Sequence, residues 1–173
     1  MFKKIFVIGN AAAGKTRLCR RLAQLHDLPL IHVDTLQFLP GLMLRPHQET
    51  SKILQEIASK DSWIIDGFGP LDSFESRLQM ADRIIFLDWP LWKNYWWLAR
   101  RQVEIIFHPR AELPAGSKEL CWSQLKKSVD YIYKVHRQMR PELLRILDRE
   151  IYRGKVTMIR DNNAWRKIEQ SGV

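Results

Sequence analysis

The chain has 173 residues, of which 46% are apolar, and its 28 Lys and Arg against 19 Asp and Glu give a formal net charge of +9. This length and composition suit one α/β domain with a buried core. The two cysteines are too few for a disulfide framework and lack zinc-site spacing, so we expect a reducing, cytoplasmic environment. No apolar run approaches the roughly 18 residues of a membrane span, so no membrane contact is expected.

The first predicted elements enclose a phosphate-binding motif. An apolar strand at residues 4–8 runs into GNAAAGKT, which fits G-x-x-x-x-G-K-[ST], and a helix is predicted at about 15–25. Glycines let the backbone turn around a phosphate, Lys15 adds positive charge, and the Thr16 hydroxyl can ligate Mg²⁺. The predicted phosphate-binding residues are Gly9, Asn10, Ala11, Ala12, Ala13, Gly14, Lys15 and Thr16.

Short apolar runs alternate with helix-like segments along the rest of the chain. Four further strands are predicted at residues 30–33, 63–65, 84–87 and 156–159. Helices are predicted at 47–59, 73–80, 91–107, from about 117, from Pro141 and at about 165–169, with a loop at 35–41. The helix from Pro141 is expected to bury Leu144, Leu147 and Ile151. Strands that are apolar throughout indicate a doubly wound parallel sheet, buried on both faces.

Aspartates follow three of these strands, at the edge where such sheets bind ligands. Asp66 or Asp88 could supply the carboxylate of a Mg²⁺ site, and Asp66 is favoured because Gly67 allows close backbone approach. Asp34 could position or deprotonate an acceptor hydroxyl, or contact Mg²⁺. Capping of a helix or loop is the alternative for each aspartate. His32 has no third metal ligand at a plausible spacing, so we interpret it as a packed strand residue.

Arginines are the candidate cations for phosphoryl transfer, since their planar guanidinium suits phosphate. Arg77 is a candidate near the aspartates. Arg100 and Arg101 are adjacent on a predicted helix and point about 100° apart, so one of them is expected to face the site. Arg110 follows a proline in a predicted loop, where a closing lid would carry its charge. A solvated surface position is the alternative for each.

The positive charge and the tryptophans concentrate in the same part of the chain. Residues 89–153 hold 13 basic residues against 7 acidic ones, whereas residues 1–88 hold 11 against 10. A basic surface suits an anionic partner, either nucleotide phosphates or a nucleic-acid backbone, or is simply solvated. Trp92 and Trp96 share a predicted helix face beside Trp89 and Trp97. Packing is the favoured role for these tryptophans, over base stacking or an oligomer interface.

The stretches GNAAAGKT, VDTLQFLPG, WIIDGF and ESRLQMADRIIFLDWP, followed by an arginine-rich helix and loop, resemble adenylate-kinase-like P-loop proteins. Within these, the chain is most similar to the bacterial group called DNA topology modulation proteins. The resemblance implies a three-layer fold with a five-stranded parallel sheet in the order 2-3-1-4-5. It also implies one domain over residues 1–173 with a helical, lid-like insert at about 91–153, and ATP with Mg²⁺ as cofactors. Arg101 and Arg110 would be lid residues, and residues 161–163 would border the adenine.

The chain departs from true adenylate kinases where they bind the acceptor nucleotide. No arginine follows Phe68 directly, since Gly69, Pro70 and Leu71 stand there, and the T-G-D-x-x-R type signature after the second strand is missing. AMP is therefore not the expected acceptor, although the donor site is intact.

The leading hypothesis is a phosphotransferase that acts on a small-molecule acceptor. Its predicted catalytic residues are Lys15, Asp34, Arg101 and Arg110, its metal residues are Thr16 and Asp66, and its acceptor pocket contains Asp34 and Arg77. The first alternative is a nucleic-acid-associated ATPase or regulator, which the basic, aromatic segment supports but which is not favoured. The second is a nucleotide-binding protein without turnover.

Overall fold

The structure is a computed structural model that describes residues 2–39, 43–107 and 122–172, and the side chains within 2–37, 43–103 and 125–172. Contacts divide the chain into two units. The first, here called the sheet unit, comprises the chain up to Gly9, Gly14–Asp88 and the chain from Leu147. The second, the helical unit, comprises Asn10–Ala13 and Trp89–Ile146. The helical unit overlaps the predicted insert at about 91–153, and the grouping of both units into one domain stays a prediction.

The sheet unit contains a five-stranded parallel sheet, as predicted. The strands of the described residues are β1 (Lys4–Gly9), β2 (Leu30–His32), β3 (Phe38–Leu39), β4 (Met43–Leu44), β5 (Trp63–Asp66), β6 (Arg83–Leu87) and β7 (Val156–Ile159). The parallel sheet has the order β2-β5-β1-β6-β7, and β3 pairs with β4 in a separate antiparallel ribbon. Counted among themselves along the chain, the five parallel strands have the order 2-3-1-4-5. This α/β fold confirms the expected class.

The core of the sheet unit lies around β1, the central strand. Residues 5–8 of β1 have no solvent exposure, and residues 63–65 of β5 and 84–85 of β6 have none either. The strands are apolar at consecutive positions because both faces of the sheet are covered, so that no position points to water. Register aligns Val7 of β1 with Asp66 of β5 and with Ile85 of β6. The last residues of these strands therefore meet at one edge of the sheet.

The helices of the described residues follow the apolar periodicity of the sequence. They are α1 (Lys15–His26), α2 (Val33–Gln37), α3 (His47–Ala58), α4 (Phe74–Met80), α5 (Leu91–Phe107), α6 (Trp122–Lys134), α7 (Arg140–Leu147), α8 (Glu150–Arg153) and α9 (Asn162–Ser171). In α1, Leu18, Cys19 and Leu22 form the buried face, because positions three and four apart lie on one side of a helix. Among the described residues, no helix combines the length and the apolar character that crossing a membrane requires.

The segment after β2 differs from the prediction. The sequence predicts a loop at residues 35–41, but α2 covers Val33–Gln37, and Phe38 and Leu39 of β3 pair with β4. Residues 40–41 of the predicted loop lie outside the described residues. Val33 was predicted to end the second strand, and instead its fully buried side chain begins α2. The Pro40-Gly41 pair, which suggested a loop, separates the two strands of the ribbon in sequence.

The helical segment around Pro141 also differs from the prediction. A π-helical turn, Val135–Met139, joins α6 directly to α7, which begins at Arg140 and not at a break before Pro141. Proline is tolerated in the first turn of a helix, and an extra residue in a turn rotates the following helix face. Leu147 is buried as expected, whereas Ile151 is 60% exposed, because Ile151 lies in the separate helix α8. The predicted loop at 108–116 and the predicted helix start near 117 lie outside the described residues.

Substituting Gly9→Ala is expected to lower the free energy of unfolding by about 2 kcal/mol, because overpacking a close contact forces the strands apart. A Cβ on Gly9 would lie 2.8 Å from Cβ of Leu87 and 3.0 Å from its carbonyl oxygen, across the β1–β6 contact. Urea unfolding of the whole chain measures the change. Gly154→Ala is the matched control, because a Cβ there meets no atom within 4 Å. A Gly9 variant as stable as the Gly154 variant would contradict the expectation.

Candidate active site

The phosphate motif forms a turn between β1 and α1. Gly14 precedes α1 with φ +85°, in the left-handed region that glycine adopts without strain. Having no side chain, Gly14 cannot cap the helix, so the first N–H groups of α1 have no side-chain partner at that position. An anion at the helix N-terminus would complete their hydrogen bonding. Local geometry thus supports the predicted role of this turn in binding phosphate.

The middle of the loop, Asn10–Ala13, belongs to the helical unit and is held there by two buried hydrogen bonds. Nδ2 of Asn10 donates to the carbonyl of Ile132 at 2.9 Å, and Nε1 of Trp89 donates to the carbonyl of Ala13 at 3.0 Å. Oδ1 of Asn10 also accepts from the backbone N–H of Ala11 at 2.7 Å. The sequence analysis included Asn10 as a phosphate-loop residue but missed these anchoring bonds. The sequence feature that could have indicated an anchoring role for Asn10 is its position as a single polar residue before three alanines.

Lys15 is partly buried in the sheet unit. Burial lowers the pKa of its ammonium, while the negative charges of Asp66 and then Asp34 act on that pKa in the opposite direction. Both carboxylates are therefore electrostatically coupled to Lys15, as the predicted grouping at the sheet edge required. Asp34 itself lies in the first turn of α2 and is exposed. The structure thus brings together the motif lysine and two of the three predicted aspartates.

Asp66 receives two hydrogen bonds on the same carboxylate oxygen. Oγ1 of Thr16 donates to Oδ2 of Asp66 at 2.9 Å, and Nδ1 of His32 lies 3.0 Å from the same Oδ2. Asp66 ends β5 and is 6% exposed. The predicted metal residues Thr16 and Asp66 are therefore adjacent, and His32 joins them. The sequence analysis interpreted His32 as a packed strand residue, which missed its contact with Asp66.

The hydroxyl of Thr16 and the carboxylate of Asp66 are oxygen donors of the kind that Mg²⁺ prefers. Their contact of 2.9 Å places both donors at one point beside the phosphate motif. Within the described ranges, no three or more His, Cys, Asp or Glu side chains form a cluster that could hold a metal ion. The donor set therefore fits an ion that takes its remaining ligands from phosphate oxygens and water, as Mg²⁺ commonly does.

The third predicted aspartate, Asp88, has a different environment. It is buried, and its Oδ2 accepts a hydrogen bond from Nε of Arg160 at 3.0 Å. The guanidinium of Arg160 is half-exposed, so the ion pair links the end of the sheet to the surface. Asp88 is thus engaged by a cation, whereas Asp66 contacts the hydroxyl of the phosphate motif. This difference favours Asp66 over Asp88 as the metal residue.

Arg77 is fully buried and holds the backbone that follows Asp66. Its guanidinium donates to the carbonyls of Phe68 and Pro70, and its Nε donates to Ser73 at 3.1 Å. Burial lowers the pKa of Arg77 to about 10, with Asp72 acting in the opposite direction. Among the described residues, Nη1 of Arg77 has no hydrogen-bond partner. An acceptor-binding role for Arg77 stays a prediction, and its observed contacts are with the protein backbone.

Two rings lie against the guanidinium of Arg77. Its Cζ is 5.0 Å from the ring centre of Phe6 and 5.7 Å from that of Phe74, distances at which cation–π attraction operates. These contacts and the backbone carbonyls together compensate for a charge removed from water.

Arg101 is exposed on α5, and Arg110 lies outside the described residues. In the same helix Trp92 is 67% exposed and Trp96 is 62% exposed, so packing does not account for this pair. Trp89 does pack as expected, since it is buried and has Nζ of Lys93 3.4 Å from its ring centre.

Comparison with known proteins supports the fold. No protein-family model and no curated protein matches the chain. A shikimate kinase structure from Acinetobacter baumannii, in complex with shikimate, matches with a TM-score of 0.54 and 17% identity over 99% of this chain and 90% of that one. A shikimate kinase from Bacteroides thetaiotaomicron matches with a TM-score of 0.54 and 16% identity over 99% of this chain and 96% of that one. These structural neighbours are P-loop kinases, and at this identity the likeness establishes the fold alone.

Substituting Asn10→Ala is expected to lower the free energy of unfolding by about 1 kcal/mol, because a buried hydrogen bond to Ile132 is lost. Loosening the loop is also expected to weaken nucleotide binding by about tenfold, equivalent to roughly 1.4 kcal/mol. Urea unfolding and calorimetric titration with ATP measure the two effects. Gln170→Ala, at an exposed position of α9 outside any proposed site, is the control and should change neither. Unchanged nucleotide affinity in the Asn10 variant would contradict the anchoring role.

Proposed function

We propose that this protein is an ATP- and Mg²⁺-dependent phosphotransferase that acts on a small-molecule acceptor. The observation that carries this proposal is the contact between Thr16 of the phosphate motif and the carboxylate of Asp66. This contact lies beside the motif lysine, Lys15, which interacts electrostatically with Asp66 and Asp34. The fold likeness to shikimate kinases supports the reaction class, since those proteins are kinases by name.

In this proposal each residue of the sheet unit has a distinct task. Thr16 and Asp66 would hold Mg²⁺, which when bound offsets the charge of the phosphates during transfer. Lys15 would place its ammonium against the outer phosphate oxygens, and the N-terminus of α1 would face the same oxygens. The partly buried position of Lys15 strengthens its attraction to phosphate, because less water screens the charge.

Asp34 would orient the acceptor hydroxyl. The oxygen of the acceptor hydroxyl attacks the γ-phosphorus of ATP. The bond between that phosphorus and the oxygen that bridges it to the β-phosphorus breaks, and ADP leaves. The hydroxyl proton passes to the carboxylate of Asp34. The exposed position of Asp34, within electrostatic reach of Lys15, supports this role. Arg101 and Arg110 remain proposed lid residues that would stabilise the charge on the transferring group.

A second candidate function has support from α5. The side chains of Trp92 and Trp96 are largely exposed. They belong to residues 89–153, which contain 13 basic and 7 acidic residues. Exposed aromatic rings beside cations suit the stacking of single-stranded bases. A nucleic-acid-associated ATPase, similar to the DNA topology modulation group, would use this surface. Binding of a fluorescent single-stranded oligonucleotide that weakens steeply with salt and is lost in Trp92→Ala would favour this candidate.

The acceptor can be identified by measuring ATP consumption with Mg²⁺ in the presence of a panel of compounds. The panel contains nucleoside monophosphates, nucleosides, shikimate and short DNA. The phosphotransferase proposal requires that one small molecule stimulates ATP consumption and that mass spectrometry detects its phosphorylated product. Shikimate is included because one structural neighbour was solved with it. Stimulation by DNA alone would overturn the phosphotransferase proposal and support the nucleic-acid-associated function.

Substituting Lys15→Met is expected to reduce ATP turnover by about 10²-fold or more, because a charge that stabilises the transferring phosphates is lost. Turnover is measured by coupled ADP release at saturating Mg²⁺. Lys52→Met, at an exposed position of α3, is the matched control and should retain full turnover. Equal turnover in the Lys15 variant and the wild type would contradict a P-loop mechanism.

The same Lys15→Met variant is expected to be more stable than the wild type at pH 7. Because burial lowers the pKa of Lys15 in the folded state, the unfolded chain binds that proton more tightly. The charge therefore costs stability below the folded pKa, and the cost disappears as the pH rises towards the unfolded value. Urea unfolding at pH 7 and pH 10 measures this, and the gain should shrink at the higher pH. A variant less stable than the wild type at pH 7 would show that burial is not the dominant effect.

A further inference from the structure

His32 contacts Asp66 because of strand register. β2 and β5 are adjacent parallel strands, and His32 is the register partner of Asp66. Register partners on adjacent parallel strands project to the same face of a sheet, so the imidazole lies beside the carboxylate. The side chain of His32 is 28% exposed and that of Asp66 is 6% exposed. The pair thus lies at the sheet edge with its carboxylate protected and its imidazole partly open.

From this geometry we propose that His32 is a positioning residue for Asp66, selecting which carboxylate oxygen is available to a divalent ion. The inference deepens the proposed function and depends on it. Both donors, Oγ1 of Thr16 and Nδ1 of His32, contact Oδ2 at 2.9 Å and 3.0 Å. In the part of the chain that the structure describes, no hydrogen bond is made to Oδ1. Oδ2 is therefore used within the protein, and Oδ1 is the oxygen left for a metal ion or its water.

The contact requires a proton on Nδ1 of His32, because a carboxylate oxygen only accepts hydrogen bonds. The ring that carries this proton donates from Nδ1 to Oδ2 of Asp66, so the positioning effect is a matter of hydrogen-bond geometry.

The second donor restricts the rotation of the carboxylate. The terminal torsion of aspartate is broad, so one hydrogen bond from Thr16 leaves the two oxygens free to exchange places. A donor on the neighbouring strand β2 fixes the carboxylate plane relative to the sheet, because His32 is itself held by strand pairing. Residues that orient a metal-binding carboxylate typically contribute 10- to 100-fold to metal affinity. This is the magnitude that the loss of His32 is expected to cost.

The decisive experiment measures Mn²⁺ binding and not turnover. The full chain is titrated with Mn²⁺ in the presence of the β,γ-imido analogue of ATP, and free Mn²⁺ is followed by electron paramagnetic resonance. His32→Leu, which removes the donor, is expected to raise the Kd for Mn²⁺ by roughly 10- to 100-fold. His32→Asn is expected to stay within about threefold of the wild type, because its amide Nδ2 can occupy the position of Nδ1. Affinity for the analogue without divalent ions should be unchanged in both variants.

His47→Leu is the matched control, since His47 is an exposed histidine of α3 in the same unit. It should bind Mn²⁺ as the wild type does. Equal Mn²⁺ affinity in the His32→Leu variant and the wild type would overturn the proposal. Equal losses of Mn²⁺ affinity in the His32→Asn and His32→Leu variants would also overturn it. In that case a hydrogen-bond donor at position 32 would not restore binding, and the role of His32 would be structural. If the His32→Leu variant does not fold, His32→Gln is compared with His32→Asn. The longer amide of Gln extends beyond the Nδ1 position, so His32→Gln should bind Mn²⁺ more weakly than His32→Asn, and equal affinity would overturn the proposal.

Failure of this inference is distinguishable from failure of the proposed function. Asp66→Asn and the wild type are titrated in parallel. If the wild type shows no Mn²⁺ binding with the ATP analogue, the proposed function fails, and the inference with it. If the wild type binds and Asp66→Asn weakens binding while His32→Leu does not, the proposed metal site stands and the role of His32 is wrong.

Discussion

The electrostatic coupling of one partly buried ammonium group to two carboxylates is the constraint around which the sheet edge is organised. Lys15 begins α1, and burial lowers the pKa of its ammonium while Asp66 and Asp34 oppose that change. An ammonium drawn out of water is costly without a negatively charged partner, so carboxylates are needed near it. Oδ2 of Asp66 is held at this edge by its contacts with Thr16 and His32. The phosphate motif and the pairing of β2 with β5 thus bring opposite charge to Lys15.

This arrangement places polar groups in a core that would otherwise be apolar, and the strands around it supply the compensation. Residues 5–8 of β1 are fully buried, and β5 is buried along its whole length up to Asp66. Burial of each large aliphatic or aromatic side chain contributes about 1.5 to 3 kcal/mol, so a few central strand residues outweigh the cost of the polar edge. Removing the charge of Lys15 would raise the free energy of unfolding and lower the rate of phosphoryl transfer. Such a conflict between stability and activity is common where a binding site adjoins a core.

Local sequence patterns predicted the fold class, the phosphate loop and the position of most elements, because strand runs and helix periodicity are properties of neighbouring residues. The contacts that assemble the site could not be found this way. Asn10 bonds to Ile132 across 122 residues of sequence, and His32 meets Asp66 only once β2 and β5 are paired in register. The burial of Arg77 could not be predicted from the sequence either, since the side chain of an arginine on a short helix normally reaches water. The ribbon after β2 was missed because its strands have two residues each.

The buried Arg77 accounts for how the segment after Asp66 keeps its shape without the arginine that follows the D-G-F stretch of true adenylate kinases. Its guanidinium reaches up from α4 and binds the carbonyls of Phe68 and Pro70. Between them, Gly69 has φ +62°, and a Cβ there would lie 2.9 Å from Cγ1 of Val33 and 3.3 Å from Nη1 of Arg77. The observed hydrogen bonds of this cation are with backbone carbonyls. The shape of residues 68–70 therefore depends both on the buried guanidinium of Arg77 and on a glycine at position 69.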